Sequence, residues 1–248
     1  MNDEVRPIDR VTIDRRTGLR WLGAVGLVAV AAACGGDSSS SATRSTRRVS
    51  PTRASSSNPA ASGANACVLS PEMTEGPFYL DTEKVRADIT EGKPGKPIAL
   101  VLNVVDAATC APIANAAVDV WHADAEGVYS GFGAAASRST FLRGIQMTDA
   151  NGTSQFATIY PGWYRGRAVH IHVKVHRGGS VVHTGQLFFD ETVTEAVYAT
   201  SPYNARRGTW LRNRQDSIYA DGGAQSLLAL TPDGNGYRGA LTLGVRAS

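Results

Sequence analysis

The chain has 248 residues, 42% of them hydrophobic and 19% charged, with a formal net charge of +3 and three cysteines. The charge is unevenly spread: nine of the 25 Lys and Arg but only five of the 22 Asp and Glu precede Cys67, leaving 16 against 17, a net −1, after it. A nearly neutral body gives no support for nucleic-acid binding, and the apolar run Trp21 to Ala33 is too short to span a bilayer.

In chain order, residues 1 to 33 have the form of an export signal: Arg15-Arg16, then Leu19 and Arg20, then the apolar run. The run ends in Ala31-Ala32-Ala33-Cys34-Gly35, which resembles the lipobox of bacterial lipoproteins and makes Cys34 the expected lipidation site at the end of a segment 1–34. Simple cleavage after an Ala-x-Ala site would instead leave Cys34 as a free thiol or remove it. The arginine pair resembles a twin-arginine signal, although Gly18 stands where a large apolar residue is usual. The expectation is an exported protein, a cell-surface lipoprotein or a secreted one, that touches a membrane only through its lipid.

Residues 35–66 are mostly Ser, Ala, Thr, Arg, Pro and Gly, with no aromatic residue and one branched apolar residue, Val49. Such a segment cannot bury a core and reads as a flexible tether. Residues 67–248 remain as one domain. Its two cysteines, Cys67 and Cys110, are expected to form a disulfide between the start of the domain and the loop at 106–112; two separate buried thiols are the alternative.

Within the domain, strands are predicted over Ile98–Val105, Ala116–His122, Phe141–Thr148, Thr153–Tyr160, Ala168–His176, Val181–Phe189 and Ala240–Val245. Asp149-Ala150-Asn151-Gly152 carries the Asn-Gly pair of a hairpin turn, and Arg177-Gly178-Gly179-Ser180 is a second turn. Short helices are predicted only over Thr192–Thr200 and Leu211–Ala220. This pattern gives an all-β domain, an antiparallel sandwich or barrel.

The strand at 168–176 carries the most informative feature, His170-Ile171-His172. Side chains two apart on a strand share a face, so both imidazoles can reach one metal ion. Val169, Ile171, Val173 and Val175 alternate with them, which makes the strand two-sided and turns the histidines toward a separate polar pocket or toward solvent. The pair alone also fits a solvated strand face. Two imidazoles suit zinc, copper, nickel or iron. No spare cysteine or closely spaced acid completes such a site, but Tyr129, Tyr160 and Tyr164 stand nearby. Phenolate is a hard anionic donor, which points to Fe(III).

Four motifs in register carry a resemblance: Thr74-Glu75-Gly76-Pro77-Phe78-Tyr79; Trp121-His122-Ala123 with Gly127-Val128-Tyr129-Ser130; Pro161-Gly162-Trp163-Tyr164; and Gly166-Arg167-Ala168-Val169-His170-Ile171-His172. From about Leu69 to Asp190 the chain resembles the intradiol ring-cleavage dioxygenases, the family of catechol 1,2- and protocatechuate 3,4-dioxygenases. The resemblance implies an antiparallel β-sandwich of the intradiol type with long loops and short helices. It implies one Fe(III) per domain, held by Tyr129, Tyr164, His170 and His172, with hydroxide in a fifth position. Tyr160, four residues before the matching tyrosine, is set aside as a strand residue at the pocket edge. Arg167 and Gln186 match the family's active-site arginine and glutamine, and with Tyr164 they form the implied catalytic set. Pro77 and Tyr79 belong to the segment that lies near substrate in relatives.

The implied reaction uses O2 to open a catecholic ring between its two hydroxyl-bearing carbons, giving cis,cis-muconate-type products without nicotinamide or flavin. Two departures matter. Only five residues separate Tyr164 from His170, so the pocket is expected to be more open than in the intracellular enzymes. The helical region through which catechol 1,2-dioxygenases dimerise is replaced by the tether, which leaves the oligomeric state open, a homodimer among the options. Another class of function is an exported sandwich that binds a carbohydrate or a cell-surface ligand with an idle metal site. The joint survival of four ligands, Arg167 and Gln186 argues against it. His122, His176 and His183 read as structural or surface groups.

Overall fold

The computed structural model describes residues 68–246; the signal, the tether, Cys34 and Cys67 lie outside the described residues. Strand β1 (Pro97–Asp106) buries Ile98, Leu100, Leu102 and Val104, the alternation that gives a strand one apolar face. It pairs antiparallel with β4 (Thr153–Ile159) and parallel with β8 (Gly236–Val245), and β7 (Ala229–Asp233) flanks β8, for a sheet order β4-β1-β8-β7. The second sheet is antiparallel throughout, in the order β3 (Arg143–Met147), β2 (Ala117–Trp121), β5 (His170–Arg177), β6 (Ser180–Phe188). Val118 and Val120 of β2, Ile171, Val173 and Val175 of β5 and Leu187 of β6 pack with the apolar side chains of β1 in one core. The expected all-β sandwich is the observed architecture, with one correction: β1 and β8 pair parallel, so the first sheet is mixed and not antiparallel throughout.

The differences from the predicted elements have local causes. Strand β7 went unpredicted because Pro232 interrupts it; proline is tolerated there because β7 is an edge strand. The last strand begins at Gly236 rather than Ala240, since its ladder with β1 starts at the Ile98–Tyr237 pair. Strand β3 begins at Arg143 rather than Phe141 because Leu142 sits at φ 56°, in the left-handed region.

Helix α1 is the short turn Gly133–Ala136, and α2 spans Glu191–Tyr198, where Asp190 caps the N-terminus by accepting from Thr192 N and Val193 N. The helix predicted over 211–220 is split. A 3-10 turn at Asn213–Gln215 gives way to Asp216 in an extended conformation (φ −92°, ψ 120°), whose side chain caps α3 (Ser217–Ala220). A short side-chain acceptor competes with helix continuation in this way. Cys110 is disulfide-bonded, at φ 62°.

The outer face of the second sheet is also covered. The segment from residue 70 to 80 runs across it, held by Met73 N to Thr184 O (2.9 Å) and Thr184 N to Glu72 Oε2 (3.0 Å). Strand β5 is therefore buried on both faces, from His170 to Val175.

Candidate metal centre

His170 and His172 lie on the covered outer face and are 2% and 1% exposed, so they point into a closed polar space rather than into solvent. Their Nε2 atoms are 3.1 Å apart, and Tyr164 Oη lies 3.1 Å from His170 Nε2. The two rings are fixed differently. His170 Nδ1 lies 2.6 Å from the Ala168 carbonyl, an acceptor only, so Nδ1 carries the proton and Nε2 presents its lone pair to the space shared with His172 and Tyr164. His172 Nδ1 is buried without a partner, and its ring lies flat on Trp121, with centroids 4.8 Å apart at 4°.

Tyr129 arrives from the loop after β2. Asp124 turns that loop by accepting from Glu126 N and Val128 N, both at 3.0 Å, and Gly127 (φ 76°) leaves no room for a Cβ against the Trp163 carbonyl. The Tyr129 ring stacks on Phe78 (4.3 Å, 14°) and meets Tyr164 edge-on at 5.6 Å. Its Oη is buried and makes no well-formed hydrogen bond, although the Tyr164 hydroxyl is close enough to interact with it. A buried hydroxyl without a well-formed hydrogen bond is costly, and a cation between Tyr129, Tyr164, His170 and His172 would satisfy it. Among the described residues no group of three or more His, Cys, Asp or Glu could hold a metal, and the side-chain oxygens that stand beside the two imidazoles are those of Tyr129 and Tyr164. Ferric iron fits that hard, anionic donor set.

Electrostatics agree with this assignment. Burial, reinforced by the nearby Arg167 charge, lowers the His170 pKa to about 3, and burial takes His172 well below its ordinary range. Both imidazoles are neutral at neutral pH, the form that ligates. Burial raises Tyr129 and Tyr164 above the usual phenol range, with Arg167 opposing the rise at both. Without a metal these phenols stay protonated; a bound trivalent ion is what would ionise them.

Beside the donors, Arg167 donates from Nη2 to Gln186 Oε1 (2.5 Å) and from Nε to Asp216 Oδ2 (2.9 Å). Gln186 is fully buried and donates from Nε2 to the Thr74 carbonyl (2.8 Å). Arg167 and Gln186 thus stand together, as the resemblance implied. The segment over the site makes a turn at Pro77-Phe78, opened by Gly76 at φ 72°, where an added Cβ would come within 3.3 Å of His172 Cε1. From this turn the Phe78 ring reaches Tyr129 and Tyr164. Pro77 is exposed, whereas Tyr79 packs on Trp121 (4.9 Å), hydrogen-bonds Asp119 and lies under the Lys174 ammonium at 3.5 Å.

Tyr160 falls elsewhere than the sequence suggested, whereas His122 and His183 are the structural groups expected. Tyr160 is not at the pocket edge: it is fully buried in the core between the sheets, with Oη 2.7 Å from Thr194 Oγ1. His122 is a buried structural group between the Ala123 carbonyl (2.8 Å) and Thr158 Oγ1 (2.7 Å), and His183 pairs with Glu72 at 2.9 Å. Two residues of the site, Phe78 and Asp216, carry no signal in the sequence. Phe78 sits inside the Thr74–Tyr79 motif as an apolar residue like any other, and Asp216 is 49 residues from Arg167, with no local pattern to connect them.

The family model described as "Dioxygenase" matches residues 69–202. Among curated proteins, catechol 1,2-dioxygenase 1 of Acinetobacter lwoffii is 33% identical over 100 residues, covering 38% of this chain and 32% of that protein. The catechol 1,2-dioxygenase of Acinetobacter baylyi is 32% identical over the same length and shares. The chain thus spans about a third of the length of these curated relatives. Among solved structures, an intradiol ring-cleavage dioxygenase from Tetranychus urticae matches with a TM-score of 0.70 at 36% identity, over 73% of this chain and 97% of that one. The dioxygenase domain of a dioxygenase carbohydrate-binding protein fusion from Streptomyces sp. SirexAA-E matches with a TM-score of 0.57 at 28% identity, over 73% and 99%.

Proposed function

The chain belongs to the intradiol ring-cleavage dioxygenase family, and from that premise we propose that it is a non-haem Fe(III) enzyme cleaving catecholic rings with O2 between the two hydroxyl-bearing carbons. The observation that carries this reading is the convergence of Tyr164 Oη, His170 Nε2 and His172 Nε2 beside the buried Tyr129 Oη, which makes no well-formed hydrogen bond. Ferric iron, when bound, supplies a Lewis acid that draws electron density from a chelated catecholate and makes the ring reactive toward O2.

The chain's own groups supply the rest. His170 and His172, on a strand buried on both faces, are the rigid ligands. Tyr164 sits on the loop before β5 and is less buried than Tyr129, so it is the donor suited to leave and take a substrate proton at Oη. Arg167 offers a permanent positive charge, and Gln186 holds it in place, so negative charge developing on the ring meets a preorganised donor. Phe78, Phe132 and Trp121 form an apolar wall around the tyrosines that excludes water.

The proposal includes export and lipid attachment at Cys34, supported by Arg15-Arg16 and Ala33-Cys34. It also includes pairing of Cys67 with Cys110, supported by the disulfide state of Cys110 and by Cys34 being the sole other cysteine. The test of function is O2 uptake by iron-loaded protein across a set of catechols. The expected result is one O2 consumed per ring opened, with both oxygen atoms in a muconate-type product. Iron-loaded protein that consumes no O2 with any of them would overturn the reading and favour a binding module.

A further inference from the structure

Asp216 lies beyond residues 69–202, where the family model ends, yet its side chain is 1% exposed and meets the candidate centre. Its two oxygens have different partners. Oδ1 caps α3 by accepting from Ile218 N (2.8 Å) and Tyr219 N (3.4 Å). Oδ2 accepts from Arg167 Nε (2.9 Å) and Ala168 N (2.7 Å). These two partners are consecutive residues serving separate parts of the site. The other arm of Arg167 donates to Gln186, while the Ala168 carbonyl accepts from His170 Nδ1. A cap needs only Oδ1, and α3 is four residues long. The second oxygen joins two chain segments that the sequence keeps far apart.

We propose that Asp216 is a positioning residue for the candidate metal centre: through one carboxylate oxygen it sets the direction of Arg167 and, through the Ala168 peptide, the orientation of His170. The inference rests on the function proposed above. Removing the link frees the guanidinium to turn and lets the 167–168 peptide shift, and with it Ala168, whose own carbonyl, in the next peptide, fixes the tautomer of the His170 imidazole. Partners one step removed from a metal ligand change affinity or activity by about 10–100-fold when lost.

Asp216→Asn tests this with no change of size. Asparagine caps helices as well as aspartate does, so the Oδ1 contacts survive, while the acceptor facing Arg167 and Ala168 becomes an amide donor. The expected result is a folded, iron-binding protein whose kcat falls by about 10–100-fold and whose iron-tyrosinate visible band shifts. Combined with Arg167→Met, Asp216→Asn should lower kcat by a smaller factor than it does alone, because only the route through Ala168 and His170 remains, and the band shift persists by that route. Wild-type kcat and an unchanged band in Asp216→Asn would overturn the inference. So would failure of both Asp216→Asn and the cap-keeping Asp216→Ser to fold, since the carboxylate would then be a fold element alone. Unsubstituted protein that neither takes up iron nor consumes O2 marks failure of the proposed function itself, and removes this inference with it.

Discussion

The two faces of the β3-β2-β5-β6 sheet are both buried, but only one is satisfied. On the inner face Val118, Val120, Ile171, Val173 and Val175 pack against the other sheet, and their burial needs nothing further. On the outer face Phe188 is apolar, but Asp119, Arg143, His170, His172, Lys174 and Gln186 are buried polar side chains, and several atoms there lack a well-formed hydrogen bond: Trp121 Nε1, Tyr129 Oη, His172 Nδ1 and Arg143 Nη1. Residues that alternate along one strand thus experience opposite chemistry. Buried polar groups left unpaired mark the place where a fold has been shaped for something other than its own stability. The inner face makes the strand rigid; the outer face uses that rigidity to hold donors in place.

Four changes break or sharpen this contrast. The largest effect is expected from Tyr164→Phe, which removes a donor and the proton acceptor at Oη: turnover should fall by about 10²–10⁴-fold while the melting temperature barely changes, measured by O2 electrode and calorimetry. Next, Arg167→Met should lower kcat by about 10²–10³-fold, the cost of one preorganised donor, with iron content preserved by elemental analysis.

Acid should then separate stability from catalysis in the metal-free protein. Burial holds the His122 pKa at about 4 against an ordinary 6.5, so the unfolded chain binds this proton first as pH falls. The stabilising contribution is complete above pH ~6.5 and is lost progressively down to pH ~4, at about 1.4 kcal/mol per pH unit. Urea unfolding at pH 7 and pH 5 should differ by about 2 kcal/mol from this group, with His170 and His172, held neutral by burial in the same way, adding to the loss at pH 5; Thr158→Val, which removes one of the His122 hydrogen bonds, should alter that difference. The smallest effect belongs to the inner face: Ile171→Val should cost about 0.5–1.5 kcal/mol of stability with kcat per bound iron unchanged.

Much of this was legible in the sequence, for reasons that differ by residue. The period-two spacing of His170 and His172 among valines set them on one face of a strand, and the strand exists. Tyr129 and Tyr164 were legible through the resemblance, because each sits in a short motif of fixed form. The burial of the outer face was not legible, because it depends on the segment around Glu72, Thr74 and Phe78 crossing the sheet from about a hundred residues away in the chain. Asp216 was hidden for the same reason, and also because Leu211 to Ala220 has the composition of a helix: the aspartate that breaks it shows its role only once Arg167 is beside it. The parallel pairing of β1 with β8 joins the two ends of the domain, and no local pattern specifies such a pair.

The account turns on one claim, that two buried phenols and two neutral imidazoles form a ferric site. The direct measurement is an anaerobic visible titration of the metal-free protein with Fe(III), run in parallel on Tyr129→Phe and Tyr164→Phe. The account predicts a tyrosinate charge-transfer band that saturates at one iron per chain, is weakened or shifted in each variant and changes when catechol is added. Saturation with no such band, or a band that both variants leave as it is in the unsubstituted protein, would contradict it.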